Sequence, residues 1–86
     1  TSMSAAVPFE RGLAAEKRGD FAGAEKQYQK TAAVFQKSDR VHGRLFVASF
    51  RAGDNAVARQ EFDLLKGREI DSALAREING LLRTKD

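Results

Sequence analysis

Apolar residues along the chain recur at intervals of three and four, not two. Phe21, Ala24, Tyr28, Ala32 and Phe35 form one such stripe, Ala58, Phe62 and Leu65 a second, and Leu74, Ile78, Leu81 and Leu82 a third. At 3.6 residues per turn, each set falls on one face of a helix. No alternating β-branched run competes with this pattern, so the expected fold class is all-α, with about five helices.

Residues that start and stop helices punctuate the stripes. The first helix is expected to begin near Ser4, a suitable N-cap, with Pro8 in its first turn, where a missing N–H matters least. Gly19 accepts the left-handed conformation that ends a helix, and the Asp20 carboxylate accepts from the free N–H groups that open the next. Ser38 or Asp39 caps a third helix running to about Ala52. Gly53 and Asp54 then repeat the stop-and-start signal, the fourth helix ends near Gly67, and Asp71 or Ser72 opens a fifth.

The Gly-Asp pair returns after 34 residues, and its surroundings return with it. Ala14 matches Ala48, Lys17 matches Arg51, Ala22 matches Ala56, Ala24 matches Ala58, and Tyr28 matches Phe62. A repeat of this length resembles the tetratricopeptide repeat, a helix-turn-helix unit that stacks into arrays. Gly12, Gly19-Asp20, Ala24, Tyr28 and Thr31 carry the resemblance in the first unit, and Gly53-Asp54, Ala58 and Phe62 in the second. It covers about Ala5 to Leu65. The chain departs from the family in the first helix of each unit. Pro8 and His42 stand where a large apolar residue is usual, Arg11 where Leu is usual, and Phe46 where a small residue is usual. The microtubule-interacting-and-trafficking type of three-helix domain has a similar first hairpin, but it does not account for the second Gly-Asp at the same period.

The resemblance implies antiparallel hairpins stacked as a short right-handed solenoid. Residues 5–38 form the first unit, 39–69 the second, and 70–86 a capping helix; residues 1–4 are expected to be a tag remnant or a disordered start. In such repeats the first helix of each unit lines a concave groove. Carried over, the groove positions are Ala6, Phe9, Leu13, Glu16 and Lys17, then Arg40, Gly43, Val47, Phe50 and Arg51. Phe9, Leu13, Val47 and Phe50 would offer apolar anchors, edged by Lys17, Arg40 and Arg51, a surface suited to a partner's helix or peptide with some acidic side chains. The alternative is that these apolar residues are core. Repeats that grip the C-terminal carboxylate of chaperones use Lys and Asn where Phe9 and Leu13 stand, so that ligand is disfavoured.

Composition adds limits. A chain of 86 residues builds one small core, and with no Cys there is no disulfide to support it. Fifteen basic against 12 acidic residues give a net charge of +3 with signs well mixed, which disfavours nucleic acid. Apolar runs are too short for membrane insertion. The single His42, the scattered carboxylates and the lack of a phosphate-binding glycine loop leave an enzyme, a metal or any other cofactor without support. Carboxylates such as Glu61 and Asp63 lie two apart, so they face different ways. The expectation is a non-catalytic module of the cytoplasm that binds a protein or peptide. A homodimer or assembly scaffold is the alternative, and a basic nucleic-acid-binding helical module the weaker one.

Overall fold

The computed structural model describes residues 2–84, with side chains from residue 6 onward. Thr1, Lys85, Asp86 and the side chain of Ser4 lie outside them, and with these the expectations for the first position, the Ser4 cap and the end of the capping segment. The described residues form five helices: α1 Ser2–Lys17, α2 Phe21–Val34, α3 Asp39–Ala52, α4 Asn55–Leu65 and α5 Ser72–Arg83. Among the described residues there is no strand.

The caps follow the residue chemistry. Asp20, Ser38, Asp54 and Asp71 are the N-caps of α2 to α5, each accepting a backbone N–H from its helix's first turn. Gly19 and Gly53 take φ of +81° and +82°, which lets the chain reverse. In both turns the following Asp donates its N–H five residues back, Asp20 to Ala15 and Asp54 to Ser49, each at 2.9 Å. The two Gly-Asp turns are therefore the same structure.

The first helix differs from expectation. It is already helical at Ser2, so Pro8 lies inside it rather than in its first turn. A proline there leaves one carbonyl of the preceding turn without its helical donor.

Successive helices α1 to α4 pack side by side, antiparallel, and α5 then rests chiefly on α3. Helix α3 is the hub, buried over most of its circumference. One side of it sends Leu45 and Ala48 into a cluster with Ala15, Ala24 and Tyr28, against which Phe9, Leu13 and Ala32 pack. The other sends Phe46 and Val47 into a cluster with Ala58, Leu65, Leu74 and Ile78, flanked by Phe50, Phe62, Ile70 and Leu81. Three stripe residues fall outside both clusters: Phe21, half-buried under Arg51, Phe35 and Leu82. Phe35 is the C-cap of α2 and Leu82 sits on the outer side of α5, each 38% exposed.

Close approach depends on two glycines. A Cβ on Gly12 would overlap the fully buried Tyr28 ring, and a Cβ on Gly43 would overlap the Leu74 methyl groups. Gly43 thus seats α5 on α3, as Gly12 seats α2 on α1.

Candidate functional site

Helices α1, α3 and α5 share one side of the molecule, where a depression of about 530 Å³ opens between them. Its walls are Leu13 of α1, Asp39, Arg40 and Arg44 of α3, and Asp71, Ala73, Leu74 and Glu77 from the start of α5. Spacings of four and three along α3 put Arg40, Arg44, Val47 and Arg51 on this side.

Arg44 ties the three helices together. Its Nη2 donates to Glu16 Oε1 at 2.6 Å and its Nη1 to Glu77 Oε1 at 2.6 Å, while the buried Tyr28 hydroxyl also donates to Glu16. Burial opposes the Arg44 charge, but Glu16 and Glu77 more than offset it and hold the guanidinium protonated. Burial, then the neighbouring Glu16 carboxylate, push the Tyr28 hydroxyl up from its ordinary range, so it stays a donor.

The remaining charges of the depression are mostly spoken for. Asp39 meets Arg68 at 2.8 Å, Asp71 accepts from Ala73 N–H and Leu74 N–H, and Glu77 is held by Arg44. Arg40 is different. Among the described residues it has no carboxylate partner, and its guanidinium lies 5.0 Å above the Phe9 ring. An exposed cation thus stands beside an apolar floor made by Leu13 and Leu74.

Of the groove residues inferred from the repeat, Leu13 and Arg40 meet in this depression, and Phe9 adjoins it beneath Arg40. Phe9 also borders a neighbouring hollow of about 320 Å³ with Ala6, Thr31, Phe35, Ser38 and Val41. Val47 is the correction: it has no exposed surface, because α5 closes over this side of α3, and it belongs to the core. Phe50 is half-buried, its ring 5.6 Å from that of Phe46. Arg51 is exposed over Phe21 at 5.4 Å, and Lys17 is exposed away from the depression walls. Arg44, Leu74 and Glu77 were missed. The four-residue step from Arg40 to Arg44 was the available signal, whereas the docking of α5 has none in the local sequence.

By its sequence context His42 is a surface or packing residue, and the structure gives it the packing role. It is buried, with Nδ1 2.5 Å from Glu61 Oε1 and Nε2 2.6 Å from the Gln36 carbonyl. Both ring nitrogens thus face acceptor oxygens. The pair joins α3 to α4 with both side chains buried, and it ties the two helices together. Glu61 faces inward to His42, while Asp63 is exposed beside Arg59. Among the described residues no group of His, Cys, Asp or Glu is placed to hold a metal ion, and no helix is long and apolar enough to cross a membrane.

In comparisons with known proteins, no family model, no curated protein and no solved structure matches the chain.

Proposed function

We propose that the protein is a non-catalytic interaction module, a short right-handed array of two tetratricopeptide-like hairpins and a covering helix. It receives a partner's peptide or helix in the depression between α1, α3 and α5. One observation carries this reading: Arg40, a cation with no carboxylate partner among the described residues, stands at a hollow floored by Leu13 and Leu74 whose own carboxylates are held by Arg68, by backbone N–H groups and by Arg44. A ligand with an apolar anchor and an adjacent carboxylate fits both features. The 34-residue echo and the shared side of α1, α3 and α5 support the array.

Self-association is the second reading. Val7, Val34 and Phe35 are exposed apolar residues on α1 and at the end of α2, remote in sequence from α5. A mass that rises with concentration and falls back on Val34→Glu would favour it.

Peptides selected from a random displayed library, then titrated by fluorescence anisotropy, test the first reading. Arg40→Glu and Ala73→Trp both alter exposed wall positions without touching the core. Selected peptides should carry Asp or Glu next to an apolar residue and lose about tenfold or more in affinity to either variant. Peptides indifferent to both changes would reject the depression as the working surface.

A further inference from the structure

A second apolar opening lies on a different part of the molecule, between α4 and α5. Helices α1 to α4 each pack closely on the helix before, but α5 takes α3 as its main neighbour, so α4 and α5 splay apart. Two hollows of about 210 and 230 Å³ open along the splay, one on either side of the Phe62 ring. Phe46, Phe50, Ala58 and Leu82 line the first with Asn55 and Arg59. The second has Leu65, Ile70, Ala75 and Ile78 with Lys66 and Asn79. Together they make a trough with an apolar floor whose lining includes two cations, two amides and no carboxylate.

We infer that this trough docks one amphipathic helix of another protein, with apolar anchors to either side of Phe62 and carboxylates along its flanks. The charge pattern selects the partner. Arg59 meets Asp63 at 3.5 Å, but their side chains are 80% and 59% exposed, so an incoming carboxylate displaces that contact at little cost. Lys66 forms no ion pair among the described residues. A strand is excluded as the guest, because the described residues offer no sheet edge to pair with it. Anchors spaced i, i+3, i+4 and i+7 on a helix match two hollows divided by a ridge. A second copy of the chain lacks the chemistry. Its net charge is +3, and Glu25 and Glu61, which would help make an acidic face on α2 and α4, are buried.

The probe is a dye-labelled helical peptide with Leu at i, i+3, i+4 and i+7 and Glu on both flanks, beside a twin with Lys for every Glu. Anisotropy with the full chain should show the Glu probe binding about tenfold or more tighter than its twin. Leu82→Asn and Asn79→Glu, both at exposed positions, should each weaken it about tenfold with the circular dichroism unchanged. Arg59→Glu with Lys66→Glu should reverse the preference between the probes. Ala73→Trp, which fills the depression between α1, α3 and α5, should change nothing. The trough is overturned if neither probe binds, if both bind equally, or if Leu82→Asn and Asn79→Glu leave binding intact. A probe displaced by Ala73→Trp instead lies in the other depression, which overturns the trough and leaves the function proposed above standing. A dimer in sedimentation that Leu82→Asn dissociates makes the occupant a second copy and likewise overturns it.

Discussion

At matching places in the two hairpins, α1–α2 sets Gly12 against Tyr28, whereas α3–α4 sets Phe46 against Phe62. In the first, the small residue lets the ring bury completely. In the second, Phe46 takes the buried place and Phe62 is pushed partly outward, its ring 6.0 Å from Phe46 and its edge on the trough. The polar pair differs too. His42 serves Glu61 in α3–α4, while the matching positions in α1–α2 hold Pro8, which has no donor, and Gln27, whose Oε1 is buried without a partner among the described residues. Bulk that faces the groove side also changes places: Phe9 in the first unit corresponds to Gly43 in the second, and Leu74 of α5 fills the room. One backbone plan thus yields a sealed hairpin with an open face and a looser hairpin whose face is covered.

Truncating the aromatic should separate the two most strongly. Tyr28→Ala is expected to cost about 3–5 kcal/mol in urea unfolding, and Phe62→Ala about 1–3 kcal/mol, because Phe62 still touches water. Equal losses would erase the distinction. Next comes the buried pair. Glu61→Leu alone should destabilise by about 3 kcal/mol through the stranded imidazole, while His42→Leu with Glu61→Met should recover most of it.

The glycines give a smaller contrast. Gly12→Ala should cost about 2 kcal/mol, since the rigid Tyr28 ring cannot yield. Gly43→Ala meets the methyl groups and Cγ of Leu74, a side chain that can turn where a ring cannot, so with the gain in helix propensity it should cost less, about 1 kcal/mol.

Charge couples the two hairpins and offers a pH test. Glu25 of α2 is buried beside Asp54, the cap of α4. Burial, then the hydrogen bond and repulsion from Asp54, push its carboxyl up to about 7, and that contact lowers Asp54. The folded value lies above the ordinary carboxyl value of 4.5. Its contribution is therefore full below pH 4.5 and lost as pH rises to about 7. Glu25→Gln should remove that slope and raise stability at pH 8 by roughly 2 kcal/mol. A variant with the parent's pH profile would show that the carboxyl is not buried as described. Gln27→Met, which removes a carbonyl oxygen buried without a partner among the described residues, should stabilise by about 1 kcal/mol.

Much of this was legible in one dimension. Asp20, Asp54, Gly19 and Gly53 are local signals whose physics is complete within a single turn, and the echo between them marked two equivalent hairpins. Leu13 and Arg40 were reached through the resemblance to the repeat family, whose groove positions they occupy. The burial of Val47 was not visible, since a buried and a groove-lining valine leave the same periodic trace. Nor was the His42–Glu61 contact, which joins residues 19 positions apart on different helices. Leu82 reads as core from its stripe, yet the splay of α5 from α4 turns it to solvent.

By itself, then, the sequence determined the helices, their caps and the doubled turn, because hydrogen bonding and periodicity act within a few residues. Only the tertiary structure decided which apolar face became core and which stayed open. That choice depends on where α5 lands, and Gly43 admits it by leaving space that no local pattern reveals.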